Sequence, residues 1–98
     1  MTRPATGARF LLELERVDGA KATYRATVFT PDAEHATTAL LGDDGAVEIS
    51  PAGAPGDLDD TLAMFAKLLA RGATKRREDG LPVWPQRLLR WRGPGRGE

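Results

Sequence analysis

From Arg9 to Phe29 the chain reads "RFLLELERVDGAKATYRATVF", two alternating runs of apolar and polar residues joined at Asp18-Gly19. A period of two puts every second side chain on one face of an extended strand, so this stretch demands a half-buried β-hairpin. Phe10, Leu12 and Leu14 share one face of the first strand, and Ala22, Tyr24, Ala26 and Val28 share one face of the second. Loop length decides which residues oppose. A two-residue Asp18-Gly19 loop would set Leu14 against Thr23 and mix core with solvent faces. A three-residue loop ending at Gly19 pairs Leu14 with Ala22, Leu12 with Tyr24, Phe10 with Ala26 and Glu15 with Lys21. That loop, with Gly19 at positive φ, is therefore expected.

A lone hairpin is marginal in water and needs more strands or a helix against it. Further on, "TPDAEHATTALLG" carries helix signals in Thr30, Pro31 and Gly42. Its helical apolar face is thin, and the Thr37-Thr38 pair followed by "GDDGAVEI" favours a third strand from about His35 to Leu41. Val47 and Ile49 would then point inward on a following strand. "SPAGAPG" is a linker. "DLDDTLAMFAKLLARG" is the clearest helix: Asp57 stands at the N-cap, Leu58, Leu62, Phe65 and Leu69 recur at helical spacing, and Lys67 and Arg71 lie toward the C-terminus. Gly72 either stops this helix or lets it run on through "ATKRRED" to Gly80.

The fold class that follows is α+β. An antiparallel meander of three to four strands carries one main helix, about 57–71, packed on one face, and a short C-terminal segment, about 81–92, docked on the core. A chain of 98 residues forms one domain. Residues 1–8 are expected as a flexible leader, 9–92 as the domain and 93–98 as a flexible tail. No apolar run approaches the roughly 18 residues of a membrane span, and a cytoplasmic protein with no membrane partner is expected.

Chemistry-bearing residues are few. There is no cysteine and one histidine, which excludes a disulfide framework, a thiolate nucleophile and Cys-type zinc sites. On a strand His35 points away from its neighbour Glu34, so the two make no base-and-orienter pair. "DLDDT" resembles the acid motif of class II terpene cyclases over these five residues. That family is built from large all-helical domains, which this length cannot contain, and nothing is carried over. The three aspartates read instead as a capped helix start. Catalytic residues, metal ligands and cofactors are each expected to be none.

The formal net charge is zero by cancellation. Residues 1–70 hold 6 basic and 11 acidic side chains, and residues 71–98 hold 8 basic and 3 acidic. Within the basic part, "VWPQRLLRWR" holds both tryptophans and three arginines. As a helix with Pro85 at its first position, it sets Trp84, Leu88 and Trp91 on one side and Arg87 and Arg90 on another. Extended, it sets Leu89 and Trp91 with Arg87, and Leu88 with Arg90 and Arg92. The helix separates apolar from basic more cleanly and is the expected form. Trp84 and Trp91 then serve as structural anchors, each offering 150–250 Å² of mostly apolar surface. Arg76, Arg77, Arg87, Arg90 and Arg92 are the candidate phosphate or partner contacts. The function expected is a small non-enzymatic module that binds another protein or a second copy of itself. The alternative is a nucleic-acid-binding module using the basic segment 71–92.

Overall fold

The structure, a computed structural model, describes residues 7–54 and 57–92. It is an α+β fold. The strands are β1 (Ala8–Asp18), β2 (Lys21–Phe29), β3 (Glu34–Gly42), β4 (Val47–Ile49) and β5 (Arg87–Arg92); the helices are α1 (Leu58–Arg71) and α2 (Ala73–Glu78). One five-stranded sheet runs in the order β4-β3-β2-β1-β5, with every neighbouring pair antiparallel. The meander of β1 to β4 answers the sequence pattern, including the strand over His35–Leu41. The fifth strand closes the β1 side. No described helix is long and apolar enough to cross a membrane.

The core lies between the sheet and α1. Phe10, Leu12, Ala22, Tyr24, Ala26, Val28, Ala39 and Leu41 are buried from the sheet side; Leu62, Ala66, Leu69 and Ala70 meet them from α1. Alanines at 22, 26, 39, 66 and 70 leave room for the helix backbone to approach the sheet closely, and Phe65 packs edge-on against Phe10 with ring centroids 5.2 Å apart. Val47 and Ile49 join from β4 as expected. Gly72 does not end the helical stretch. It keeps a right-handed helical backbone at φ −83°, and α2 carries on to Glu78.

The hairpin register differs from the expected one. Leu14 lies opposite Tyr24, Leu12 opposite Ala26 and Phe10 opposite Val28, and it is Asp18, not Glu15, that faces Lys21. The turn is the two residues Gly19 and Ala20, and a bulge between Leu14 and Arg16 takes up Glu15 as an extra residue. A bulge shifts the alternation by one, so a two-residue turn here keeps Leu14 and Tyr24 on the same face. Gly19 does take positive φ, +59°, as the first position of a type II′ turn requires, and no described non-glycine residue has positive φ. Leu12 and Tyr24 share the core face as expected, displaced by one pleat.

The segment after Pro85 is a strand, not the expected helix. Arg87 to Arg92 pair with Glu13 to Ala8. An isolated helix of this length earns no more than its own few hydrogen bonds, whereas the open edge of β1 offers a full ladder. Strand alternation therefore puts Trp84 and Trp91 apart. Trp84 is 7% exposed in the core. Its ring lies 6.4 Å, edge-on, from that of Tyr24, whose hydroxyl donates to the Pro85 carbonyl at 2.6 Å. Trp91 is half-buried and shares its face with Arg87 and Leu89. The docking of the C-terminal segment on the core stands, with a different geometry.

At the N-terminus the strand already includes Ala8, which is buried. Residues 1–6 of the expected leader 1–8, and the expected tail, 93–98, lie outside the described residues.

Candidate interaction surface

α1 covers one sheet face, and α2 carries on from it. On the other, strand pairing aligns three rows of side chains across β5, β1, β2 and β3: Trp91–Arg9–Phe29–Glu34, Leu89–Leu11–Thr27–Ala36, and Arg87–Glu13–Arg25–Thr38. The middle row is apolar save for one threonine, and the rows beside it carry the charges. Over them lies a cleft of about 600 Å³ lined by Leu11, Glu13, Arg25, Thr27, Phe29, Glu34, Ala36 and Arg87. Leu11, Thr27 and Phe29 form its floor and are buried.

Glu13 stands between Arg25 and Arg87 in its row, yet among the described residues none of the three, nor Glu34, forms an ion pair within 4.0 Å. The cleft thus has a nearly closed apolar floor and a charged margin, and most of the surface it exposes is polar. Among the described residues no three His, Cys, Asp or Glu side chains gather as metal ligands. His35 lies on the helix side of the sheet, opposite Val28.

The structure distributes the arginines singled out from the sequence. Arg76 is built into the fold. Its Nε–H donates to the Val83 carbonyl and its Nη2 to the Leu69 carbonyl, each at 2.6 Å, and its guanidinium lies 6.0 Å from the Trp84 ring centroid. Burial pulls its pKa down, while the neighbouring Tyr24 phenol acts in the opposite sense. Arg77 donates to Asp43 at 3.0 Å and ties the helical layer to the β3–β4 turn. Arg87 lines the cleft. Arg90 belongs to the opposite face of β5 and donates to the carbonyl of Leu89 at 2.9 Å. The side chain of Arg92 lies outside the described atoms. The five therefore do not share a surface.

Sequence reasoning passed over the cleft floor. The signal was present in three of the four Leu-Leu doublets, at 11–12, 40–41 and 88–89, the fourth lying in α1. On a strand adjacent residues point to opposite faces, so each doublet sends one leucine to the core and one to the far side. Phe29 next to Val28 is a further case. Apolar residues out of phase with the core stripe announced a second apolar surface. The chain was compared with protein-family models, curated protein sequences and solved structures, and none of them matches it.

Proposed function

We propose that the domain is a small non-enzymatic interaction module that binds another protein through the sheet face opposite its helices. The observation that carries this reading is the cleft, with Leu11, Thr27 and Phe29 as floor and Glu13, Arg25, Glu34 and Arg87 as unpaired margin. Unpaired charges beside buried apolar groups give affinity and selectivity together, because a partner gains the apolar contact only if its own charges match.

The test is capture by the intact chain, with a photo-reactive side chain at Ala36. A specific cross-linked partner that is lost on Arg87→Glu and kept on Lys67→Glu, an exposed change on α1, supports the reading. Light scattering over a concentration series identifies a second copy as the partner if mass rises with concentration. If instead arbitrary single-stranded DNA or RNA binds with steep salt dependence, and the same Arg87 variant abolishes it, the module reads nucleic acid and the proposal falls.

A further inference from the structure

We infer that the outer edge of β5 is a docking strand, and that its occupant is an extended acidic segment of a partner protein added as a sixth strand. The inference rests on the reading of the domain as a protein-binding module and supplies the partner's chemistry.

β5 pairs with β1 on one side and with no described strand on the other. The Leu14 N–H donates to the Gln86 carbonyl, which fixes the phase of the ladder. In an antiparallel pair, alternate residues turn both backbone groups toward the partner strand. Leu88, Arg90 and Arg92 therefore face β1, and Arg87, Leu89 and Trp91 aim their N–H and C=O groups outward. An unpaired row of this kind is a template for another strand. The side chains of the same three residues lie on the cleft face, and Leu89 is 41% exposed there. An added strand thus lays its alternate side chains beside Leu89 and Trp91 as the backbone pairs.

Charge selects the occupant. From Gly80 to Gly97 the chain has four arginines and no acid, and Arg87 and Arg90 flank the edge on its two faces. A second copy of β5, paired about Leu89, would set Arg87 opposite Trp91 and Leu88 opposite Arg90, and neither strand would carry an acid to offset the arginines of both. The opposite edge, β4, offers only three residues. Arg90 meanwhile holds the outward carbonyl of Leu89 at 2.9 Å. An incoming N–H takes that place, and the released guanidinium meets a carboxylate of the new strand.

The experiment is amide hydrogen exchange on the full chain with a synthetic peptide alternating valine and glutamate over about eight residues, long enough to match one strand. At saturation the amides of Arg87, Leu89 and Trp91 are expected to slow by about tenfold or more, while those of Leu88 and Arg90, already bonded to β1, stay as they are. Leu89→Pro removes only an outward donor, so it should keep the fold's melting temperature near that of the parent and abolish peptide binding. Arg90→Glu should weaken the acidic peptide and admit a valine–lysine one. Peptide shifts confined to Leu11, Thr27 and Ala36, without edge protection, overturn strand addition while leaving the protein-binding reading intact. The same amides slowing with protein concentration alone overturn the acidic occupant in favour of a second copy. No binding of the peptide by the parent chain overturns the inference, and the Ala36 cross-link then decides the broader reading separately.

Discussion

Tyr24 and Pro85 are 61 positions apart in sequence and 2.6 Å apart as donor and acceptor. The phenol of Tyr24 is fully enclosed, so ionising it would place a charge among apolar groups, and its pKa rises to about 12; burial is the larger cause, and the nearby Arg76 cation acts against it. Because the unfolded chain loses this proton near the ordinary value of 10, the contribution is whole below pH 10 and disappears as pH climbs through about 12. Tyr24 is the only tyrosine, so ultraviolet titration of phenolate absorbance reads it alone. A midpoint near 12 is expected, and one near 10 would mean that the hydroxyl is in water. Tyr24→Phe should cost about 1–3 kcal/mol in chemical denaturation, since it strands the Pro85 carbonyl. Arg76 is the second such residue. Its two short bonds to the carbonyls of Leu69 and Val83 need a planar fork, which lysine lacks, so Arg76→Lys should be destabilising. The glycine at 72 makes room for that fork: a Cβ there would come within 2.5 Å of the Arg76 Nη1. Gly72→Ala gains helix propensity of about 1 kcal/mol and displaces the clamp, so it should fail to stabilise.

Among the elements, the start of α1 shows how a correct boundary can carry an incorrect agent. Asp57 occupies the N-cap position, but its side chain makes no capping bond. Asp59, inside the first turn, does the fastening: its two carboxylate oxygens accept the Ala52 and Gly53 N–H groups at 3.0 and 3.1 Å. Those bonds pin the linker after β4 to the helix. Asp57→Ala is therefore expected to change stability by less than about 0.5 kcal/mol, and Asp59→Ala to cost about 1–2 kcal/mol, in parallel urea melts. A larger loss at Asp57 would overturn the assignment. The helix α1 and the strands β1 and β2 were legible because each holds its periodicity over enough residues to exceed competing patterns, whereas β3 carried competing helix signals at Thr30, Pro31 and Gly42 and the three residues of β4 were read from the turn before them. The bulge at Glu15 was not read: it shifts the alternation by one, so that Val17 and not Arg16 shares the face of Leu14, and the shift becomes plain only when the two strands are paired. β5 failed for a related reason. "RLLRWR" separates apolar from basic better as a helix, and what decides its conformation is the unpaired edge of β1, which is absent from the local sequence.

For the molecule as a whole, the acidic first part and basic last part meet through one described ion pair, Arg77 with Asp43, and it is surface-exposed. Exposed pairs contribute about 0–1 kcal/mol and are screened by salt. The C-terminal segment must therefore be held chiefly by burial and pairing, not by attraction between unlike halves. Its anchor role was readable from composition, since two tryptophans are a large part of the apolar surface of a chain with three phenylalanines and one tyrosine. The cleft was hidden, because its residues come from four strands and its rows exist only once register is set. Burial by the segment gives the last prediction. Trp84 covers the Tyr24 end of the core, Val83 and Leu88 pack beside it, and β5 completes the β1 edge. Trp84→Ala should cost about 3–5 kcal/mol, the range for removing a buried aromatic side chain. Truncation after Gly80 removes all of this at once and bares Phe10, Leu12 and the β1 edge. In a domain with a net stability of about 5–10 kcal/mol, the shortened chain should lose its cooperative melt altogether. Calorimetry of the two chains side by side decides it: if the truncated chain melts like the full one, the core closes without its C-terminal strand, and β5 is an attachment to the fold instead of a part of it.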